Sequence, residues 1–185
     1  MKSLTISSLL SLASFLTPLT TALPLNSTIQ RTAGCFLPPI PSSITFSPDT
    51  ITSLQLILTN ELFEVAFFES LYHNITSRQH GYTLGGSPLD NSADAIAADI
   101  ERIIAQEYLH ATQAAGLIAA AGGVAPQACS YTFHTTTFDD AIALAGTFTD
   151  LVLGTLQDVQ LQAAIHGDLP IVPAVGSVIG NEGEQ

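Results

Sequence analysis

Ala105-Gln106-Glu107-Tyr108-Leu109-His110 lies in the middle of a stripe that runs Ile96, Ile100, Ile103, Glu107, His110, Ala114, Leu117. Spacings of three and four residues turn one face of a helix toward a core. The centre of that face is ionisable: Glu107 and His110 stand one helical turn apart on the same side. Moving toward the N-terminus, Ser47-Pro48-Asp49 supplies a cap, a first-turn proline and a first-turn acid. The stripe behind it, Leu54, Ile57, Glu61, Glu64, Phe68, Leu71 and Ile75, carries two acids where apolar residues belong. The polar stretch 77–91 reads as a loop, Ser92 as the next cap, and Gly122-Gly123 as a helix stop. Toward the C-terminus, Thr137-Phe138-Asp139-Asp140 has capping-box spacing with an aspartate in the acidic position. Its stripe is Ile142, Ala145, Thr149, Val152, Leu156, Val159, ending at His166-Gly167. Asp168 opens a last segment with Val172, Val175, Ile179 and Glu182 on one face, and Pro173 delays or kinks its start.

These patterns predict an all-α chain, a four-helix bundle with a short last helix. The first three helices have close to thirty residues each, about 45 Å. The fourth has about a dozen, which leaves an apolar groove on the distal half unless the last helix is truncated or something else covers that end. Residues 122–136 span about 50 Å when extended and reach the full length of the bundle. The short link before the last segment forces a hairpin. The expected organisation is a leader at 1–22, an extended arm rich in Pro, Ser and Thr at 23–47, and the bundle at 48–185.

An uncompensated carboxylate in a helix-packing seam costs several kcal/mol of desolvation, so an acid placed there needs a proton, a partner or a metal. The chain has 185 residues with 4 basic and 16 acidic side chains. Once Lys2 leaves with the leader, Arg31, Arg78 and Arg102 are the remaining cations, too few to pair with the inner acids. The same scarcity argues against nucleic-acid or anionic-membrane partners. A carboxylate-bridged di-iron or di-manganese bundle takes one glutamate from each of two helices and a Glu-x-x-His from each of the other two. This chain offers Glu61, Glu107, His110 and Glu182, with Glu64 one turn beyond Glu61 and Gln185 where a second histidine would stand. On the third helix the expected ligand position is Thr149. Self-pairing of Glu107 with His110, or a hydrogen bond from Tyr72 to Glu61, is the simpler alternative. His73, His80, His134 and His166 receive no role, and no catalytic residue is assigned.

Lys2, the apolar stretch Leu4–Leu16 and Thr20-Thr21-Ala22 form a secretory leader cleaved after Ala22. No later segment is expected to span a membrane. Asn26-Ser27-Thr28 and Asn74-Ile75-Thr76 are glycosylation acceptors. Cys35 and Cys129, an even count in an exported chain, suggest one disulfide. The expected location is extracellular or the cell wall.

The chain also resembles the ferritin-like family of secreted fungal proteins described as late sexual development or stress-response proteins. The matching segments are Asn60–Phe68, Ala105–His110, Val152–Val159 and Val178–Gln185, in order, within a likeness running from about Pro38 to the end. The resemblance implies a ferritin-like bundle. Three functional readings follow: a development or stress protein with a degenerate metal site; an active iron or manganese protein with oxidase, catalase or iron-handling activity; and a bundle without metal that is structural or binds a small apolar ligand in the open groove. Cell-wall attachment and self-association are left open.

Overall fold

The computed structural model describes residues 40–82 and 93–185. The leader, Asn26, Cys35 and the Ser92 cap lie outside them, and with Cys35 so does the disulfide; Cys129 itself is exposed. Four α-helices form the architecture, with no strand among the described residues: α1 (Pro48–Thr76), α2 (Ala93–Ala120), α3 (Phe138–Ile165) and α4 (Val172–Glu182). A 3-10 turn, Leu169–Ile171, precedes α4. Pro173 therefore sits in the first turn of α4, where its missing N–H costs nothing.

The start of α1 is fixed twice. The Ser47 hydroxyl accepts the Thr50 N–H at 3.1 Å, and the Ser47 N–H donates to Asp168 Oδ2 at 3.0 Å. The second bond ties the link between α3 and α4 to the head of α1, so α3 runs antiparallel to α1. At the other end, Phe138 N–H donates to the carbonyl of Gly81. Between α2 and α3 the chain runs the length of α1: Gln55 Nε2 donates to Val124 O at 2.8 Å, Tyr131 and Phe133 pack edge-on against Phe63, and Tyr82 OH bonds Thr135 Oγ1 at 2.8 Å. The topology is up, down, down, up. Residues 40–47 have no regular structure beyond a bend and lie on the bundle, with Phe46 buried in the core and Ile44 N–H donating to Ala120 O.

The core is two apolar clusters. One joins Leu54, Ile57 and Leu58 of α1 to Ala114 and Ile118 of α2, Val152, Leu156 and Val159 of α3, and Val175 of α4. The other joins Phe67, Phe68, Leu71 and Ile75 to Ala97, Ile100 and Ile104 of α2 and Ala141 and Phe148 of α3. α4 contributes to the first only. In the second, Phe63, Phe67, Phe68, Phe133 and Phe148 fill space with edge-to-face contacts such as the 4.9 Å pair Phe67–Phe148.

Two details depart from the sequence reading. The α3 face is rotated at its N-terminal half: Ala141 and Phe148 are buried, while Ile142 is exposed. On α2, Ala97, Ile104 and Ile118 are buried where the stripe places Ile96, Ile103 and Leu117, which are half-buried. By length and mean hydropathy alone, α1 is long and apolar enough to cross a membrane, yet its midpoint carries two carboxylates and its apolar side packs on α2 and α3.

Candidate metal centre

The two apolar clusters are separated by one polar layer. Along α1 the order is Leu58, then Glu61 and Glu64, then Phe67; along α2 it is Ile104, then Glu107 and His110, then Ala114. α4 ends at this layer with Glu182. Glu61, Glu64 and Glu107 are 0% exposed, Glu182 1% and His110 7%.

One ligand atom each from Glu61, Glu107, His110 and Glu182 lies within 4.8 Å of the others. The hub is His110 Nδ1, at 3.3 Å from Glu61 Oε2, 3.2 Å from Glu107 Oε2 and 3.1 Å from Glu182 Oε1. A single ring nitrogen carries at most one proton, so it cannot bond all three. Glu107 takes part in a hydrogen bond with it; both oxygens of Glu61 and of Glu182 are buried with no hydrogen-bond partner. The donors fit a cation. Ligand atoms about 2.0–2.1 Å from a common ion stand about 3.0–3.4 Å apart, the separation seen here around Nδ1. Three carboxylates and an imidazole suit a divalent first-row ion.

Protonation follows from burial. Desolvation raises the Glu61 carboxyl to about 8, against the lowering pull of His110 and with a further push from Glu107. Burial, then the charges of Glu107, Glu182 and Glu61, raise Glu64 to about 10. Burial likewise raises Glu182, His110 opposing it. For His110 burial favours the neutral ring, but facing Glu107, Glu182 and Glu61 outweighs it and pushes the imidazole up to about 12.

The structure thus brings together four of the six residues singled out for a metal. Gln185 lies beside them and its amide donates to Glu107 Oε1. Glu64 is buried near the layer with both oxygens unpartnered but is not part of the four-residue group. Thr149 is half-buried, and α3 meets the adjoining core with Phe148. Asn74 is half-buried in the last turns of α1.

Two contacts outside the four-residue group have no counterpart in the sequence reading. Tyr108 OH donates to Glu69 Oε1 at 2.6 Å, linking α2 to α1 beside Glu107. Its adjacency to Glu107 was the available signal. His166, given no role, lies with Nε2 3.2 Å from Asp49 Oδ2. A surface cleft of about 510 Å³, lined by Glu69, His73, Cys129, Tyr131 and Phe133 among others, involves none of the layer residues.

No protein-family model, no curated protein and no solved structure matches this chain.

Proposed function

We propose that this chain is an exported four-helix-bundle protein that holds one divalent iron or manganese ion among Glu61, Glu107, His110 and Glu182. The observation that carries the reading is the set of unpartnered carboxylate oxygens of Glu61 and Glu182 arranged with Glu107 around a single imidazole nitrogen. When bound, such an ion supplies a Lewis-acidic centre capable of redox change. The chain's own residues set its surroundings: Gln185 orients Glu107, Glu64 keeps a proton beside the layer, and the flanking apolar clusters exclude water. A role in fungal development or stress rests on the resemblance carried by the four segments quoted above, as do export and cell-wall location on the leader.

A second reading keeps the layer without metal. Carboxyls raised to about 8 and about 10 at Glu61 and Glu64 allow protons to neutralise it near pH 7.

Elemental analysis after loading with Fe(II) or Mn(II) and desalting separates the two. The expected result is up to one ion per chain, with Glu107→Ala, which removes a ligand, lowering the affinity by at least the roughly 10-fold that losing an outer-shell partner costs. Two tightly held ions would restore the dinuclear oxidase or iron-handling reading. No bound ion, with thermal stability unchanged by added metal, would leave the proton-filled layer.

A further inference from the structure

α4 is a poor helix by itself. It has 11 residues, shorter than the roughly 12–15 at which isolated helices become even marginal. Its sequence, Val172-Pro173-Ala174-Val175-Gly176-Ser177-Val178-Ile179-Gly180-Asn181-Glu182, combines two interior glycines with β-branched residues, all weak helix formers. It packs mainly on α3, where Gln160 Nε2 donates to Val172 O at 2.9 Å. Its two fully buried side chains are Val175 and Glu182. Besides Val178 and Ile179, which pack half-buried on the first cluster, its C-terminal half is held by a carboxylate brought up to Glu61, Glu107 and the His110 imidazole, with neither oxygen hydrogen-bonded. Without a metal ion that carboxylate is desolvated beside Glu107, and the His110 imidazole 3.1 Å away is the group that opposes this. With an ion, the same side chain becomes a ligand.

We propose that α4 is a metal-dependent latch: an ion shared by Glu61, Glu107, His110 and Glu182 clamps its C-terminal half onto α1 and α2, and removal of the ion lets residues 176–185 swing off the layer and open it. The proposal rests on the metal-binding reading. The Gln185 amide donates to Glu107 of α2 from the same end of the chain, a single hydrogen bond that holds the latch near the site. The ion enters and leaves through the opening this makes.

Hydrogen exchange on the full chain tests it, with Mn(II) as the probe and EDTA-treated protein as the reference. Without metal, amides of 176–182 exchange faster than those of 58–68 in α1. With free Mn(II) at 100 times its dissociation constant, they slow by up to about 100-fold, because every opening that releases Glu182 must first release the ion. A second variant touches no ligand. Gly180 has open space where a Cβ would stand, so Gly180→Ala strengthens the helix alone. It slows exchange of 176–182 without metal and tightens Mn(II) about fivefold, since less binding energy is spent closing the latch. Bound Mn(II) with unchanged exchange in 176–182 overturns the latch while leaving the metal site standing, as does Gly180→Ala protection without tighter Mn(II). Elemental analysis showing no bound Mn(II) overturns both.

Discussion

The stability of the metal-free protein falls as pH rises from 5 to 8, and Glu64→Gln removes up to about 4 kcal/mol of the loss. Glu64 is fully buried, and its carboxyl is raised from an ordinary 4.5 to about 10. The folded state thus holds this proton across an interval in which the unfolded chain has given it up. A raised folded value contributes stability that is complete below the unfolded pKa and lost as pH climbs toward the folded one. Each pH unit in that window is worth about 1.4 kcal/mol, so three units from pH 5 to 8 amount to about 4 kcal/mol for Glu64 alone. Glu61, raised to about 8, works in the same direction over the same range. His110, raised to about 12, adds its share above its ordinary 6.5. Against a total stability of about 5–15 kcal/mol the full sum is an upper bound, because water entering the layer relieves part of it. A glutamine at 64 stays neutral at every pH. The variant matches the parent near pH 5 and exceeds it by up to about 4 kcal/mol at pH 8, read by urea unfolding of EDTA-treated protein at each pH. Mn(II) displaces protons from the layer and reduces the parent's loss. Stability that is level or rising from pH 5 to 8 without metal, or a variant advantage that does not grow with pH, would refute the reasoning.

Two further predictions concern the frame that holds the layer in place. Asp168→Ala costs about 1–2 kcal/mol at pH 7, because its carboxylate caps the Ser47 N–H at the head of α1. Burial raises that carboxyl, but hydrogen bonding from Thr50 and Ser47 outweighs it and leaves it below its ordinary value. The contribution is present above 3.8 and vanishes as pH falls through the folded value, so thermal melts of parent and variant converge in strong acid. Gly81→Ala costs more than about 1 kcal/mol, since Gly81 has φ +87° and a Cβ there would stand 2.1 Å from Thr136 O. Gly122, at φ +75° with open space around it, supplies the comparison. Its alanine variant meets only the backbone penalty and melts higher than Gly81→Ala.

How much of this was readable beforehand depended on how local each signal was. Every position of the α1 stripe from Leu54 to Ile75 is buried, because Ser47-Pro48-Asp49 fixed the start and large side chains gave the face strong contrast. The N-terminal half of α3 offered little contrast. Between Ala141 and Gly146 alanine dominates, and Ile142 drew the face toward itself, whereas the structure buries Ala141 and Phe148. A one-residue rotation turns the helix by about 100°, enough to put Phe148 into the core and leave Thr149 at its edge. The Asp168 clamp had no local trace at all, its partner being 121 residues away. The convergence of Glu61, Glu107, His110 and Glu182 was legible because each lay mid-stripe on its own helix; the hydrogen bond of Gln185 to Glu107 depended on how far α4 extends.

The polar layer is not there to make the bundle stable. Leucine at 61, 64 and 107 would join the apolar clusters on either side, and replacing buried ionic groups by well-packed apolar ones is commonly neutral or stabilising. Nor does the layer pair with the chain's cations: Arg102 is spent on an exposed pair with Asp99, and the one basic side chain reaching the carboxylates among the described residues is His110. An imidazole brings at most one positive charge to four acids, so the remainder is balanced by protons or by an ion. Three helices supply the group and α3 supplies none. That asymmetry favours one cation over the pair that two symmetric Glu-x-x-His halves would hold. It also makes α4, the shortest helix, the one whose position depends most on what fills the layer.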